Sequence, residues 1–233
     1  MSEDVRTKLQ ALSSGQSMRK RQSPKRKKST PKERVQKPKV EIQDVSHETD
    51  SVEEHANVLF KPNEGPQTEF LAASEREVLY GGSAGGGKSY AMLADPLRYM
   101  GHPQFSGLLL RHTTEELREL IFKSQELYPK IWPGIKWSER KMQWTAPSGA
   151  RLWMSYLDRD EDVLRYQGLA FSWIGFDELT QWATPYAWNY MRSRLRSTAT
   201  DLPIFMRATT NPGGRGHHWV KKMFIDPSPY NRS

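Results

Sequence analysis

The chain has 233 residues, a net charge of +8, 36% hydrophobic residues and no cysteine. Without cysteine, disulfide bonds and thiolate metal sites are excluded. No apolar run approaches the ~18 residues that a membrane span requires, and the first residues lack the basic-then-apolar pattern of a signal peptide. The sequence therefore predicts a soluble intracellular protein with no membrane partner.

The positive charge is concentrated in residues 19–39, which contain eleven Lys or Arg and one Glu. This run alone carries +10, so the rest of the chain is close to neutral. Because the run is rich in proline and serine and almost free of apolar residues, it cannot bury enough surface to fold. We predict a disordered basic tail over residues 1–55. A purely solvated extension and a segment that binds phosphates without sequence specificity are both open.

From Val58 onward, short apolar runs alternate with segments of helical pattern. Strands are predicted over residues 76–82, 106–112, 171–178 and 203–211. Helices are predicted over residues 89–100, 113–131 and 185–197, the second of them capped by Thr113 or Thr114. Residues 141–157 alternate on both sides of Pro147-Ser148-Gly149, which predicts an antiparallel hairpin. The pattern indicates one α/β domain over residues 56–233, with a mainly parallel sheet between helices.

A glycine-rich segment lies between the first predicted strand and the first predicted helix. Gly82-Ser83-Ala84-Gly85-Gly86-Gly87-Lys88-Ser89 fills every position of the pattern G-x-x-x-x-G-K-[ST]. The glycines let backbone N–H groups surround a phosphate, Lys88 can reach the β- and γ-phosphates, and the Ser89 hydroxyl can ligate magnesium. The positive N-terminus of the following helix favours the same anion. The motif predicts a P-loop for a nucleoside triphosphate and leaves kinase, GTPase and ATPase open.

Two adjacent carboxylates help to distinguish among these three classes of enzyme. Asp177 ends the apolar run SWIGFDE and can hold magnesium, either directly or through water. Glu178 beside it can polarise an attacking water, which a kinase with a hydroxyl acceptor needs less. A solvent-facing pair is the alternative, but the position after an apolar strand favours catalysis by an ATPase.

Three segments then carry a family resemblance. YQGLAFSWIGFDELTQW, MRSRLRS and RATTNPGGRGHHWVKKMFIDP follow one another in this order. They resemble the large terminase subunit of tailed bacteriophages, the motor that pumps DNA into the procapsid, and the resemblance covers about residues 58–228. It implies a P-loop NTPase of the additional-strand, catalytic-glutamate type that uses ATP and Mg2+.

The resemblance also implies the surroundings of the protein. Double-stranded DNA, the portal protein and the small terminase subunit are the implied partners, with a homo-oligomeric ring formed at the portal. The implied location is the host cytoplasm, and transiently the viral procapsid. A family member normally continues into a nuclease domain of ribonuclease-H-like fold. This chain stops at Ser233, so we expect that domain and its activity to be absent from it; either the chain is a fragment or the nuclease is encoded elsewhere.

The sequence is also compatible with two other functions. One is another P-loop DNA motor, such as a helicase, although the length leaves no room for a second motor core. The other is a fragment that binds nucleotide or DNA without turnover.

The resemblance assigns roles to three more residues. Gln67, in GPQTEFL upstream of the P-loop strand, resembles the adenine-sensing segment and can offer an adenine both a donor and an acceptor. Thr210 and Asn211, in ATTNPGG, resemble the coupling motif that senses the γ-phosphate or the lytic water. An ordinary surface glutamine and a plain turn are the alternatives.

A motor of this class also needs a positive charge on the transferring phosphoryl group, often an arginine from the next subunit. Arg165 in VLRYQG precedes the strand of Asp177, where family members commonly carry an arginine. The alternatives are Arg192, Arg194 and Arg196, predicted on one helix but on different faces of it. Arg111 ends the second predicted strand, where it can line the cleft or pair with Glu115.

Overall fold

The computed structural model describes residues 60–83 and 85–227, so the predicted tail over residues 1–55 lies outside the described residues. The strands are β1 (Glu77–Gly81), β2 (Ser106–Arg111), β3 (Lys136–Ser138), β4 (Gln143–Thr145), β5 (Arg151–Tyr156), β6 (Trp173–Phe176) and β7 (Phe205–Thr210). The α-helices are α1 (Pro66–Ala72), α2 (Lys88–Ala94), α3 (Thr114–Ile131), α4 (Tyr186–Arg192) and α5 (His217–Val220). Short 3-10 helices cover Asp95–Tyr99, Asp160–Tyr166 and Leu179–Gln181, and a π-helix covers Lys221–Ile225. In this part of the chain, no helix is long and apolar enough to cross a membrane.

All seven strands form one sheet in the order β1-β7-β6-β2-β5-β4-β3. The neighbours from β1 to β5 are parallel, whereas β4 pairs antiparallel with both β5 and β3. Strand β7 lies between the P-loop strand β1 and strand β6, and it is the additional strand of the predicted class. The α/β class, the mainly parallel sheet and the hairpin within residues 141–157 are confirmed.

Helices cover both faces of the sheet. Helices α1, α2 and α3 bury one face around Phe70, Met92 and Leu120. On the other face, α4 and α5 pack around Trp188 and Val220. The middle strands are buried on both sides, which explains why their sequences are continuous apolar runs rather than alternating patterns.

Helix α3 begins where its sequence predicts. The Thr113 hydroxyl accepts a hydrogen bond from the Glu116 N–H at 3.3 Å, and the Glu116 carboxylate accepts from the Thr113 N–H at 3.3 Å. This reciprocal capping box satisfies two donors that a helix start leaves unpaired. Of the two predicted caps, the structure therefore selects Thr113.

Two predicted helices end earlier than expected. The helix predicted over 89–100 is α2 only to Ala94 and then narrows into the 3-10 helix whose first turn contains Pro96, because proline lacks the N–H that an α-helix interior needs. The helix predicted over 185–197 ends at Arg192, and the chain then turns so that Leu195 forms a bridge with Phe171. Strand β3 is not predicted, since its three residues are too few to show a period.

Candidate active site

The P-loop joins the carboxyl end of β1 to α2 and already positions its lysine. Lys88 is buried, and its Nζ donates to the carbonyl oxygens of Gly82 at 3.0 Å and Ser83 at 2.6 Å. Gly87 caps α2 with a φ of 72°, and a Cβ there would lie 2.7 Å from Gln67 Nε2, so only glycine fits. The predicted positions Gly85 and Gly86 lie in the same exposed turn, and Ala84 lies outside the described residues.

Two side chains donate hydrogen bonds to backbone carbonyls of this loop. The Tyr80 hydroxyl donates to the Gly86 carbonyl at 2.6 Å, and Gln67 Nε2 donates to the Gly87 carbonyl at 2.9 Å. Gln67 Oε1 accepts in turn from the Asn63 N–H at 2.6 Å. Gln67 is only 3% exposed, so it is not an ordinary surface glutamine, and its contact with adenine stays a prediction. Sequence reasoning missed Tyr80; its signal is a tyrosine in the buried strand directly before the glycines.

Asp177 lies at the carboxyl end of β6 and is fully buried. Its Oδ1 accepts a hydrogen bond from the Thr209 hydroxyl, and its Oδ2 lies 2.8 Å from Arg111 Nε. That ion pair is not aligned as a hydrogen bond, and Oδ2 accepts none from the described residues. Asp177 and the half-buried Ser89 of α2 thus offer the hard oxygen donors that magnesium prefers.

Glu178 follows in a conformation that few non-glycine residues adopt. Its φ of 63° and ψ of 53° are left-handed, which costs an L-residue roughly 1–2 kcal/mol. Asn211 Nδ2 donates to Oε1 at 2.8 Å, and the Asn211 N–H donates to Oε2 at 3.3 Å. The Glu178 N–H donates to the Thr209 hydroxyl at 3.1 Å. The surrounding structure therefore holds a strained residue with its carboxylate in one orientation.

The same surroundings set the acidity of Glu178. Burial, and then the neighbouring charge of Asp177, raise the pKa of Glu178 above its ordinary value. Arg111, the Asn211 N–H and the Lys88 ammonium partly oppose this rise in pKa. A carboxylate with a raised pKa is a better proton acceptor, as a general base requires.

The two threonines at the end of β7 form hydrogen bonds with different parts of the site. Thr209 joins the Asp177 carboxylate to the Glu178 N–H through one hydroxyl. Thr210 instead bonds to the Thr180 hydroxyl at 2.8 Å and to the Asn211 carbonyl at 3.1 Å, both in the turns beyond β6 and β7. The structure thus brings Asn211 to Glu178, whereas Thr210, the last residue of β7, contacts the turn after Glu178. Sequence reasoning missed Thr209, which connects β7 to the carboxylate of Asp177 and to the backbone of Glu178.

Arg111 differs from its predicted pairing. It is buried at the end of β2, where its Nε faces Asp177 and its Nη1 lies 3.9 Å from Glu116 Oε1. The alternative partner Glu115 is wrong, because Glu115 is exposed in the first turn of α3 whereas Glu116 turns back toward Arg111. Arg111 therefore does line the cleft, as the other interpretation expects.

The three alternative arginines lie at the edge of the sheet opposite the P-loop and Glu178 of the same chain. Arg192 donates to Glu77 at 2.7 Å, at the amino end of β1, and the backbones of Arg194 and Arg196 bond to Phe171, at the amino end of β6. The P-loop and Glu178 follow the carboxyl ends of those strands. The prediction of one helix for all three arginines is wrong, since α4 ends at Arg192.

Arg165 is separate from the site within this chain. It lies on the 3-10 helix after β5, where it donates to Asp162 at 2.7 Å and stacks over the Tyr156 ring. Its side chain is 42% exposed. The structure therefore leaves this guanidinium accessible from outside.

Comparisons with known proteins agree on one family. Residues 79–231 match the model of a family described as "Terminase large subunit, T4likevirus-type, N-terminal". A solved large terminase from a thermophilic bacteriophage is 17% identical with a TM-score of 0.57, over 71% of this chain and 43% of that one. The complex of the same phage terminase with ADP is 18% identical with a TM-score of 0.54, over 69% of this chain and 41% of that one. No curated protein matches the chain.

These two terminase structures share the fold described above, and this chain spans less than half their length. The family match covers more than half of the chain, from the P-loop strand to the segment after α5. The predicted family is confirmed: the chain belongs to the large terminase subunits of T4-like type, whose N-terminal part it matches.

Proposed function

We propose that this domain hydrolyses ATP and is the motor domain of a phage DNA-packaging terminase, coupling hydrolysis to movement of double-stranded DNA into a procapsid. The observation that carries the proposal is the placement of Glu178 at the tip of β6, oriented by Asn211 from the tip of β7. Lys88 lies near enough to lower the pKa of Glu178. A phosphate-binding lysine and an oriented base thus face one site.

The residues of the site have separate roles in the proposed hydrolysis. The P-loop N–H groups and the Lys88 ammonium bind the phosphates and favour the charge that develops on them. Glu178 orients the attacking water and accepts its proton at a carboxylate oxygen, as the new bond to phosphorus forms and the bond to the leaving ADP oxygen breaks. Ser89 and Asp177 would hold Mg2+, which supplies charge neutralisation at the phosphates. The ADP bound to the terminase of the thermophilic phage supports a nucleotide at this P-loop.

Strand β7 offers a route from hydrolysis to movement. Thr209 and Asn211, at its end, contact the carboxylates of Asp177 and Glu178 respectively. The loop that follows packs on the turn after Glu178, where the Gly216 N–H donates to the Thr180 carbonyl at 2.8 Å. Gly214 has a φ of 85° and approaches the Thr180 carbonyl so closely that a Cβ would lie 2.8 Å from that oxygen. A change at the carboxylates therefore displaces the β7 tip and the following loop together.

Assembly is part of the same proposal. The exposed Arg165 supplies the missing positive charge to a neighbouring subunit of a homo-oligomeric ring. The portal protein and the small terminase subunit are its further partners, in the host cytoplasm and transiently on the procapsid.

Turnover by the purified chain tests the proposal. We expect ATP hydrolysis that duplex DNA stimulates and that requires magnesium, measured as phosphate release. The same preparation should not separate DNA strands, which distinguishes it from a helicase. Nucleotide binding with no phosphate release, alone or with DNA and portal, would contradict the proposal and favour a non-hydrolysing fragment.

A further inference from the structure

A row of polar side chains crosses the antiparallel end of the sheet. Lys136 on β3 lies opposite Thr145 on β4, and Thr145 lies opposite Arg151 on β5. Directly paired residues present their side chains on the same face of a sheet. Lys136 and Arg151 are both exposed, and two strand spacings of about 4.8 Å place their backbones about 10 Å apart.

The row continues into the parallel part of the sheet. Ser106 on β2 pairs with Arg151, and the Ser172 hydroxyl, just before β6, donates to the Ser106 carbonyl at 3.2 Å. Beside these serines lies a cavity of about 230 Å³. Ala170 and six polar residues line it: Gln104, Ser106, Ser172, Arg196, Ser197 and Thr198. We name Lys136, Thr145, Arg151 and Ser106 the basic row.

The surroundings of the basic row are positive. Its two cations, the neighbouring Arg140 and Lys141 of the β3–β4 turn, and Arg196 form no ion pair within residues 60–83 and 85–227. The adjacent carboxylates are already engaged: Glu139 accepts from Trp137, and Asp201 lies 3.3 Å from His102. Both carboxylates keep their charge in these contacts, but the five cations outnumber them, so the surface favours a partner with negative charge.

We propose that the basic row binds the phosphate backbone of duplex DNA, an inference that takes DNA as the anion from the proposed function. One DNA strand carries a charge every 3.4 Å of axis, so cations about 10 Å apart match a separation of about three phosphates. The Thr145 hydroxyl between the cations accepts from Gln143, so its own O–H can donate to a phosphate oxygen. The row lies at the amino ends of β5 and β2, at the opposite edge from the P-loop.

A duplex fits this surface better than a single strand does. Single-strand binding relies on aromatic rings on which bases stack. Trp153, on the same face, packs edge-on against Phe171, and Trp137 and Trp144 pack against each other on the opposite face. The basic row thus offers positive charge and hydroxyl groups, but no aromatic ring on which a base could stack.

Duplex binding by the full chain, without nucleotide, tests the inference at a series of salt concentrations. The variant Lys136→Gln/Arg151→Gln is compared with Arg118→Gln/Lys130→Gln, whose exposed cations lie on α3 against the other face. Each lost phosphate contact flattens the plot of log K against log salt by about 0.9, so we expect the slope to fall by about 1.8 in the first variant only. Equal slopes in the two variants would overturn the inference.

Lysine acetylation read by mass spectrometry is the second arm. Duplex DNA should protect Lys136 and Lys141 and leave Lys130 unprotected. Equal modification of all three, or equal protection by polyglutamate, would overturn the assignment to DNA. ATP turnover without DNA should be unchanged in the Lys136→Gln/Arg151→Gln variant. Because duplex binding is measured without ATP, failure of the motor proposal and failure of this inference are distinguishable.

Discussion

Asn211 holds both carboxylate oxygens of Glu178, with its side-chain amide 2.8 Å from Oε1 and its N–H 3.3 Å from Oε2. Asn211 directly follows β7 and Glu178 lies just beyond β6, so the tips of two adjacent strands meet at this carboxylate. Asn211 Oδ1 is buried and accepts no hydrogen bond from the described residues. This contact orients the Glu178 carboxylate and ties it to β7.

Replacing the amide tests this role. Asn211→Ala should lower kcat for ATP by about 10²-fold, because a misoriented base loses part of the 10²–10⁴-fold that general-base catalysis contributes. KM should change little, since Asn211 contacts the carboxylate and not the P-loop. Steady-state phosphate release measures both constants, with the exposed Asn189→Ala on α4 as control. A parental kcat in Asn211→Ala would exclude a positioning role.

Removing the P-loop lysine should abolish hydrolysis and weaken nucleotide binding. Lys88→Ala removes a charge-assisted contact worth roughly 1.5–3 kcal/mol, or about 10²-fold in Kd at the upper end. Titration calorimetry with a non-hydrolysable ATP analogue measures the affinity, and thermal unfolding checks the fold. The exposed Lys130→Ala on α3 is the matched control. Near-parental turnover in Lys88→Ala would show that this loop is not the nucleotide site.

The sequence predicts those parts of the site whose residues are close in the chain. The P-loop pattern and the apolar run before Asp177 need only local spacing, and both are placed as predicted. Thr209 bonds to Asp177, 32 positions away, and Tyr80 bonds to Gly86, six positions away. A single threonine or tyrosine in a strand forms no sequence pattern from which such a contact could be predicted. The early end of α4 follows from the bridge between Leu195 and Phe171, a contact that helix propensity cannot report.

The raised pKa of Glu178 predicts a pH-dependent stability of the nucleotide-free protein. A group whose pKa is raised by folding contributes stability below its unfolded pKa, and this contribution is lost as the pH rises through the folded pKa. Glutamine resembles the protonated form. Glu178→Gln should therefore be more stable than the parent at neutral pH, and this advantage should shrink as the pH falls through the raised pKa of Glu178 and be lost below the ordinary glutamate pKa of 4.5.

Urea unfolding at a series of pH values measures this difference. Glu119→Gln is the matched control of opposite sign, since its hydrogen bond to Lys123 lowers the pKa of Glu119. That variant should be slightly less stable than the parent at neutral pH, with the deficit lost as the pH falls. A Glu178→Gln variant without any pH-dependent gain would mean that burial does not destabilise the charged carboxylate.

Arg165 should act on the site of a neighbouring subunit. Glu178→Gln chains keep their arginine and Arg165→Ala chains keep their base, so a mixture should hydrolyse ATP although neither variant does so alone. An arginine supplied in trans is worth about 10³–10⁵ in rate in other phosphoryl-transfer systems. Phosphate release by mixtures, at increasing protein concentration with portal present, measures the rescue. Rescue by Arg192→Ala, Arg194→Ala or Arg196→Ala chains, but not by Arg165→Ala chains, would assign the role to that other arginine.

Single-turnover hydrolysis of ATP by Glu178→Gln tests the catalytic assignment most directly. The variant keeps the shape of the side chain and can accept one of the two hydrogen bonds from Asn211, but it cannot accept the proton of the attacking water. We expect ATP to bind with near-parental affinity and to be cleaved about 10²–10⁴-fold more slowly than by the parent, whereas Glu115→Gln, on the exposed first turn of α3, should cleave it normally. Cleavage by Glu178→Gln at the parental rate, with ATP bound, would contradict the assignment of Glu178 as the base.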